Sequence, residues 1–272
     1  MKVVLFCGGQ GMRLRDHDEN VPKPLVKIGY RPIIWHVMKY YAHFGHKDFI
    51  LALGHQATAI KNYFLQYSEY ESNDFILTNG GRDVTLLNSD IADWRITFVD
   101  TGLKSSVGER LAAVRHLVEG EEWFLANYTD GLTDVDLNRM IEFGQSNNHI
   151  ATFLAVKPNV TFHTVDIEED GRVMAIRAAQ AETTRINGGF FVMQNKVFEY
   201  MEEGEELVEA PFGRMIEESR LGAYVHDGFW ACMDTFKEKQ MLDEIHESGL
   251  APWLVWRNEA IPRPGETRPP LP

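Results

Sequence analysis

The sequence predicts an α/β fold in which a mostly parallel β-sheet is covered by helices on both faces. Short apolar segments alternate with segments of helical spacing through the first half of the 272-residue chain, as expected for βαβ units. Two predicted strands, residues 3–6 and 123–128, end in loops that contain glycine. Ligands of such sheets bind beyond the carboxyl ends of the strands, so these two loops are expected to share one crevice.

The first half of the chain alternates between strands and helices. Residues 3–6 form an apolar strand, and residues 32–44 form a helix because their apolar side chains recur at helical spacing. The later strands are predicted over residues 49–53, 75–77, 96–99, 123–128 and 150–156. The later helices are predicted over residues 57–67, 108–117 and 136–145.

The second half is richer in strands. They are predicted over residues 165–167, 171–176, 188–193 and 223–225. Helices are predicted over residues 215–222 and 236–248, the second with Asp234 or Thr235 as its N-cap. Residues 257–272 are rich in proline and polar residues, so this tail is predicted to be extended or disordered.

The charge of the chain limits its partners. With a net charge of −13 and an isoelectric point of about 5.2, the protein repels nucleic acid and anionic membranes, and neither is expected as a partner. Anionic metabolites need local cations or Mg²⁺ to bind here. No disulfide is expected between Cys7 and Cys232, and no apolar run reaches the ~20 residues of a membrane span. A cytoplasmic protein is therefore predicted.

The most informative segment is the loop after the first strand. Gly8, Gly9 and Gly11 present bare backbone N–H groups, which suit a polyphosphate, and Arg13 and Lys23 add positive charge. The spacing differs from the Walker A motif and lacks the third glycine of dinucleotide-binding folds. The loop therefore favours a nucleoside triphosphate that is attacked at its α-phosphorus. The alternative is a tight turn without a ligand.

The motifs of the chain resemble those of the sugar-phosphate nucleotidyltransferase family, and most of all its glucose-1-phosphate cytidylyltransferase branch. The shared motifs are Gly8-Gly9-Gln10-Gly11-Met12-Arg13-Leu14, Pro22-Lys23-Pro24, Pro32-Ile33-Ile34-Trp35-His36, Lys47-Asp48-Phe49-Ile50, Ile60-Lys61-Asn62-Tyr63-Phe64, Asp100-Thr101-Gly102, Tyr128-Thr129-Asp130-Gly131, Asn187-Gly188-Gly189-Phe190-Phe191, Gly228-Phe229-Trp230 and Met233-Asp234-Thr235. Two elements, Asp100-Thr101-Gly102 and Ala251-Pro252-Trp253, favour the cytidylyl branch over the thymidylyl branch.

The resemblance implies a Rossmann-like, doubly wound, mostly parallel mixed sheet of the nucleotide-diphospho-sugar transferase type, with a β-rich, sugar-binding carboxyl-terminal portion. It covers residues 1–256, expected as one domain with a nucleotide-binding half at 1–156 and an acceptor-binding half at 157–256. It also implies a homo-oligomer.

The resemblance further implies a reaction. CTP, or another nucleoside triphosphate, and a sugar 1-phosphate give a nucleotide sugar and pyrophosphate by in-line attack on the α-phosphorus, assisted by Mg²⁺. Asp130 and Asp234 match the metal-binding aspartates, and Arg13, Lys23 and Asp130 are the expected catalytic residues. The alternatives are a turn-forming Asp-Gly pair for Asp130 and a helix cap for Asp234.

The remaining site residues follow from the same resemblance. The expected nucleotide-binding residues are Phe6, Cys7, Gly8, Gly9, Gln10, Gly11, Met12, Arg13, Lys23, Thr101, Gly102, Arg110 and Thr129. The expected acceptor-binding residues are Asn187, Gly188, Trp230, Arg177 and Arg185. The alternative for Arg110 is an exposed helix residue paired with Glu109, and the alternative for Trp230 is an ordinary core residue.

One departure from the family pattern affects the acceptor. The family carries a Glu-Lys-Pro element whose lysine holds the sugar phosphate, and Ala179 stands at that lysine position. Arg177, Arg185 and Lys157 are the candidates to supply the charge, and the geometry of an arginine differs from that of a lysine. Two alternatives therefore stay open. One is a transferase with a different phosphate or phosphonate acceptor, and the other is a regulatory nucleotide-binding protein that has lost catalysis.

Overall fold

The computed structural model describes residues 1–8, 21–158, 163–178 and 184–259. Its strands are β1 (Lys2–Cys7), β2 (Lys27–Ile28), β3 (Arg31–Pro32), β4 (Asp48–Leu53), β5 (Phe75–Thr78), β6 (Asp83–Leu86), β7 (Arg95–Asp100), β8 (Trp123–Tyr128), β9 (Gly131–Thr133), β10 (Ala151–Val156), β11 (His163–Ile167), β12 (Val173–Ala178), β13 (Ile186–Asn187), β14 (Phe191–Gln194), β15 (Leu221–His226) and β16 (Trp230–Cys232).

The helices connect these strands in the order that the sequence predicts for an α/β fold. The α-helices are α1 (Ile33–His43), α2 (Ala57–Leu65), α3 (Val107–Ala113), α4 (Arg115–Val118), α5 (Leu137–Ser146), α6 (Ala210–Glu217) and α7 (Phe236–Glu247). Short 3-10 helices cover Lys23–Leu25, Glu69–Glu71, Asn79–Gly81, Asn195–Tyr200 and Val255–Glu259.

A central eight-stranded sheet organises the molecule. Its order is β13-β10-β14-β8-β1-β4-β7, and β15 pairs with β10. The β7-β4-β1-β8 pairs and the β10-β15 pair are parallel. Only β14 and β13 run against them, since each pairs antiparallel with its neighbours. The carboxyl ends of β1, β4, β7, β8, β10 and β15 therefore lie along one edge of the sheet.

Both faces of the sheet are covered, which confirms the predicted fold class. Alternate residues of β1 enter two separate buried clusters, Val3 and Leu5 in one and Val4 and Phe6 in the other. The first cluster includes apolar residues of α1, α5 and α7. The second includes those of α3, α4 and α6. A strand that is apolar on both faces needs this cover.

Two sequence predictions in the second half are wrong. The helix predicted over residues 215–222 is α6, which starts earlier, at Ala210 with Pro211 in its first turn, and ends before Ser219, whose φ of 56° breaks the helix. The strand predicted over residues 188–193 is interrupted, because Gly189 and Phe190 have φ angles of 78° and 51°.

Smaller differences affect the first half. The helix predicted over residues 108–117 is divided at Val114 into α3 and α4. The strand predicted over residues 75–77 is β5, which lies outside the central sheet in a hairpin with β6. Another separate hairpin is formed by β11 and β12. Across the described ranges, every helix is too short or too polar to cross a membrane, and both cysteines are free thiols.

Candidate active site

Strand pairing brings the two predicted metal-binding aspartates together. The short strands β9 and β16 are antiparallel, with Cys232 opposite Gly131. Asp130 immediately precedes β9, and Asp234 follows β16 after one residue. The ladder continues past the strands, since Met233 N donates to Asp130 O at 2.9 Å. Both carboxylates therefore lie at the same end of this pair.

Lys23 lies between the two carboxylates. Its ammonium donates to Asp130 Oδ2 at 2.6 Å and also to Asp234 Oδ1. The lysine begins the short 3-10 helix Lys23–Leu25 and is flanked by two prolines, which restrict its backbone. Burial disfavours its charged form, but the two aspartates outweigh that effect and raise its pKa. Lys23 is therefore held as a cation.

The structure argues against the structural alternative for Asp234. The N-cap of α7 is Thr235, whose side chain accepts a hydrogen bond from Glu238 N at 3.3 Å in a capping box. Glu238 Oε2 in turn accepts from the backbone N–H groups of Asp234 and Thr235. The helix end is satisfied without the Asp234 carboxylate, which instead contacts Lys23.

This pair of carboxylates fits a hard divalent cation. Two oxygens that converge on one cationic nitrogen can also converge on a metal ion, and carboxylate oxygens are suitable ligands. Across the described ranges, no group of three potential metal-ligating side chains occurs. The chain would thus hold such an ion through Asp130 and Asp234, and the ion would take its other ligands from water or substrate phosphates.

The acidic pair lies beside the start of the glycine loop. Strand β8, which leads to Asp130, is parallel to β1, which leads to Gly8, and Tyr128 is opposite Phe6. The Thr129 hydroxyl donates to Phe6 O at 3.2 Å and so connects the ends of these two strands. Of the nucleotide-binding residues predicted in the loop, Gly9, Gln10, Gly11, Met12 and Arg13 lie outside the described residues.

Phe6 and Cys7 are the last two residues of β1, immediately before Gly8. Both side chains are buried in the core. The Cys7 thiol donates to Leu5 O at 3.4 Å, and burial raises the pKa of that thiol. A thiol in this state is an inert core group, so any contact of these residues with a nucleotide would involve main-chain atoms.

Arg110 is buried, and the alternative of an exposed residue paired with Glu109 is wrong. The side chain is 2% exposed. Its Nη1 donates to Leu53 O at 3.1 Å, to Thr101 Oγ1 at 2.7 Å and to Gly102 O at 2.8 Å. Glu109 instead belongs to the capping box of α3 with Ser106.

The Arg110 guanidinium also packs directly against Gly8. A methyl group on Gly8 would lie 2.1 Å from Arg110 Cζ, and one on Gly54 would lie 2.7 Å from its nitrogens. Within the described part of the chain, Arg110 Nε is buried and has no hydrogen-bond partner. Arg110 therefore connects the carboxyl ends of β1, β4 and β7, and both glycines are needed for its space.

Two predicted acceptor residues, Gly188 and Trp230, lie near Gly131, the residue after Asp130. The Trp230 indole donates to Gly188 O at 2.9 Å. Gly131 lies against the same pair, since a methyl group on it would be 3.6 Å from Trp230 Nε1 and 3.9 Å from Gly188 O. Asn187 precedes Gly188 and accepts from Gly189 N at 2.9 Å. Trp230 is partly exposed and also packs against the first buried cluster.

The two predicted acceptor arginines are placed differently. Arg177 lies on the separate β11–β12 hairpin, where it pairs with Asp166 at 2.6 Å. Arg185 lies next to β13 and donates to His226 O at 3.1 Å and to Asp227 Oδ1 at 2.8 Å. Only Arg185 is therefore held at the edge of the central sheet. Ala179 lies outside the described residues.

Sequence reasoning missed Asn127, which shapes the acceptor side. Its buried Oδ1 accepts from Phe190 N at 2.9 Å and lies where a side chain on Gly189 would be, at 2.6 Å. The contact fixes the interrupted segment between β13 and β14. The sequence could have indicated Asn127 by its amide side chain in the otherwise apolar strand β8, because a buried polar group needs a specific partner.

Comparison with known proteins is consistent with this geometry. The family model for nucleotidyl transferases matches residues 2–235. The chain is 35% identical over 258 residues to a probable glucose-1-phosphate cytidylyltransferase of Bacillus subtilis (strain 168), and 36% identical over 258 residues to the glucose-1-phosphate cytidylyltransferase of Salmonella typhi. Both alignments cover 94% of this chain and 100% of the relative.

A solved structure shares the fold. The crystal structure of HddC from Yersinia pseudotuberculosis superposes with a TM-score of 0.60 at 18% identity, over 90% of this chain and 99% of that one. At this low identity, the structural similarity supports the fold alone. The match to the family model spans most of the chain and includes both aspartates. The chain therefore belongs to the nucleotidyl transferase family and is a nucleotidyltransferase.

Proposed function

We propose that this enzyme condenses CTP with a sugar 1-phosphate, glucose 1-phosphate being favoured, to give a CDP-sugar and pyrophosphate. The observation that carries the proposal is the contact of Lys23 with both Asp130 and Asp234, beside the end of β1. The cytidylyltransferase relatives support CTP as the nucleotide, and their names support glucose 1-phosphate as the acceptor.

The chemistry needs positioning and charge neutralisation more than covalent catalysis. An oxygen of the acceptor phosphate attacks the α-phosphorus of the nucleotide, and the bond from that phosphorus to the pyrophosphate oxygen breaks. Asp130 and Asp234 would hold Mg²⁺, which neutralises phosphate charge when bound. Lys23 is a cation beside both aspartates, so it would stabilise the negative charge that develops. Arg13 is proposed as a second cation.

The nucleotide side of the site is proposed to use the remaining predicted residues. Thr101, Gly102 and Arg110 form one hydrogen-bonded group at the ends of β4 and β7, next to Gly8. Thr129 fixes the spacing of β8 and β1. These contacts support a rigid wall against which a nucleotide binds. A homo-oligomer and a cytoplasmic location stay predictions.

A different phosphate or phosphonate acceptor is the second candidate. The observation that favours it is Ala179 in place of the family lysine. A regulatory protein without catalysis is less well supported, because both aspartates are present and share the same lysine.

Pyrophosphate release tests these alternatives. The purified protein is incubated with MgCl₂, one of five nucleoside triphosphates (CTP, UTP, dTTP, GTP or ATP) and a panel of sugar 1-phosphates and phosphonates. The expected result is rapid release with CTP and glucose 1-phosphate and little release without an acceptor. Release only with another acceptor would favour the second candidate. CTP binding without release from any pair would favour the regulatory protein.

A further inference from the structure

Three charged side chains meet at the acceptor end of the sheet edge. Lys157 directly follows β10, and Asp227 directly follows β15, the parallel neighbour of β10. Arg185 approaches both from the residue before β13. Lys157 Nζ lies 3.6 Å from Asp227 Oδ1, and Arg185 Nη2 lies 2.8 Å from the same oxygen. Two cations thus share one carboxylate.

Arg185 is committed to the fold. Its Nη1 donates to His226 O at 3.1 Å and Ala155 O at 3.5 Å, while its Nη2 donates to Asp227. These contacts connect the ends of β10 and β15. These contacts use three of the five N–H donors of the guanidinium and fix it against the ends of both strands. Arg185 therefore holds Asp227 in place.

Lys157 has the opposite character. Its side chain is 57% exposed, and its distance to Asp227 is longer than a direct hydrogen bond. An exposed pair of this kind contributes little to stability. The ammonium therefore keeps its donors available for an anion that enters from the sheet edge. Asp227 is the group that competes for it.

Lys157 lies on the acceptor side of the catalytic aspartates. Val156, its neighbour, packs against Gly188, where an added methyl group would lie 3.1 Å from Val156 Cγ2. Gly188 accepts from the Trp230 indole, and Trp230 adjoins Gly131, next to Asp130. Strand β10 is two strands from β8, a separation of about 10 Å. A phosphate group together with a flexible lysine side chain can span that gap.

We propose that Lys157 binds the phosphate of the acceptor, and that Arg185 is a positioning residue that holds Asp227 as the competing anion in the absence of acceptor. This inference rests on the proposed function. It places the cation that binds the acceptor phosphate at the end of β10. Arg177 does not have this role, because it pairs with Asp166 on the separate hairpin.

Paired substitutions of opposite effect test the assignment by steady-state kinetics with CTP and glucose 1-phosphate. Lys157→Gln is expected to raise the KM for glucose 1-phosphate about tenfold, because a charge-assisted hydrogen bond is lost. The KM for CTP should change less than twofold. Lys157→Arg should restore most of the loss. Arg172→Gln, at an exposed arginine that pairs with Glu168, is the matched control and should leave both KM values within twofold of wild type. Arg177→Gln is measured in the same way.

Asp227→Asn removes the competing charge but keeps an oxygen for Arg185. It is expected to lower the KM for glucose 1-phosphate by about two- to fivefold. A purely structural role for this cluster would move both KM values in one direction for both substitutions. Thermal melts check that each variant is folded.

Two results would overturn the inference while the proposed function stands. One is an active Lys157→Gln enzyme whose KM for glucose 1-phosphate stays within twofold of wild type. The other is a large KM increase for Arg177→Gln in its place. If the wild-type enzyme releases no pyrophosphate with any sugar 1-phosphate, the proposed function fails and the inference fails with it.

Discussion

The two ends of the catalytic sheet edge are built differently. At the ends of β1, β4, β7 and β8, the polar groups are connected to one another. The buried Arg110 hydrogen-bonds Thr101 and Leu53, and the half-buried Lys23 contacts both aspartates. At the ends of β10 and β15, Lys157 and Asp227 are exposed, and Lys157 and Arg185 share that single carboxylate.

This difference separates shared chemistry from variable recognition. A buried network tolerates few changes, because a lost partner leaves a polar group unsatisfied. At an exposed site, a cation can be supplied by a residue at a different sequence position, at little cost in stability. In agreement with this difference, the chain keeps the nucleotide motifs of the family but has Ala179 at the position of the family's acceptor-binding lysine.

The largest expected effect comes from the aspartate pair. Asp130→Asn or Asp234→Asn should lower kcat about 100-fold or more, because preorganised charge at the reacting phosphates is lost. Folding should be unaffected, as judged by circular dichroism. Asp93→Asn, at an exposed aspartate paired with Lys47, is the control and should keep full activity. Variants as active as wild type would show that the metal site lies elsewhere.

Lys23 should separate the two substrates. Lys23→Ala is expected to raise the KM for CTP about tenfold or more, since a charged donor is lost, with a smaller change for the acceptor. Lys47→Ala, which removes a lysine from an exposed ion pair, provides the comparison. Unchanged CTP kinetics in Lys23→Ala would contradict the assigned role.

Arg110 tests how strongly the nucleotide end is fixed. Arg110→Ala should lower the free energy of unfolding by about 2–4 kcal/mol, because buried acceptors lose their donor and a cavity forms. Arg95→Ala, at an exposed pair 3.8 Å from Asp48, should cost less than about 1 kcal/mol. Urea denaturation measures both.

Gly8 sharpens the same comparison. Gly8→Ala should cost less stability in the Arg110→Ala background than in wild type, because the methyl group clashes with the guanidinium. Equal costs in the two backgrounds would show that the loop moves away from Arg110.

The smallest effect at neutral pH concerns His36, a buried residue of α1. Burial lowers the pKa of His36 to about 4, and His246 and Arg257 lie close enough to add to the shift. The unfolded chain then binds more protons between pH 6.5 and 4, so stability should fall as pH falls through this window. The shift corresponds to about 3 kcal/mol.

Urea denaturation across that pH range measures the effect of His36. His36→Gln should flatten the pH dependence, whatever its effect on absolute stability. His116→Gln, at an exposed histidine, should leave the dependence unchanged. If both variants behave alike, other groups cause the acid sensitivity.

The sheet and the convergence of its loops could be predicted, because the apolar pattern of the strands and the order of the motifs are visible in a single sequence. Asp130 and Asp234 were identified by motif, but the β9–β16 pairing that joins them depends on residues 97 or more positions apart. The burial of Arg110 was missed, since charge alone indicates an exposed face. The end of α6 was misplaced because its pattern continues past the break at Ser219.

In the protein without substrate, the Lys23 ammonium lies between the two carboxylates that would hold a metal ion. Two neighbouring carboxylates would repel each other if left alone, and the ammonium between them prevents this. If Asp130 and Asp234 bound a divalent ion alone, Lys23 would lose both carboxylates and gain no new partner. If a nucleoside triphosphate bound together with the ion, its anionic oxygens would be available to the Lys23 ammonium. The resting enzyme should therefore take up free metal weakly and load nucleotide and metal as one unit.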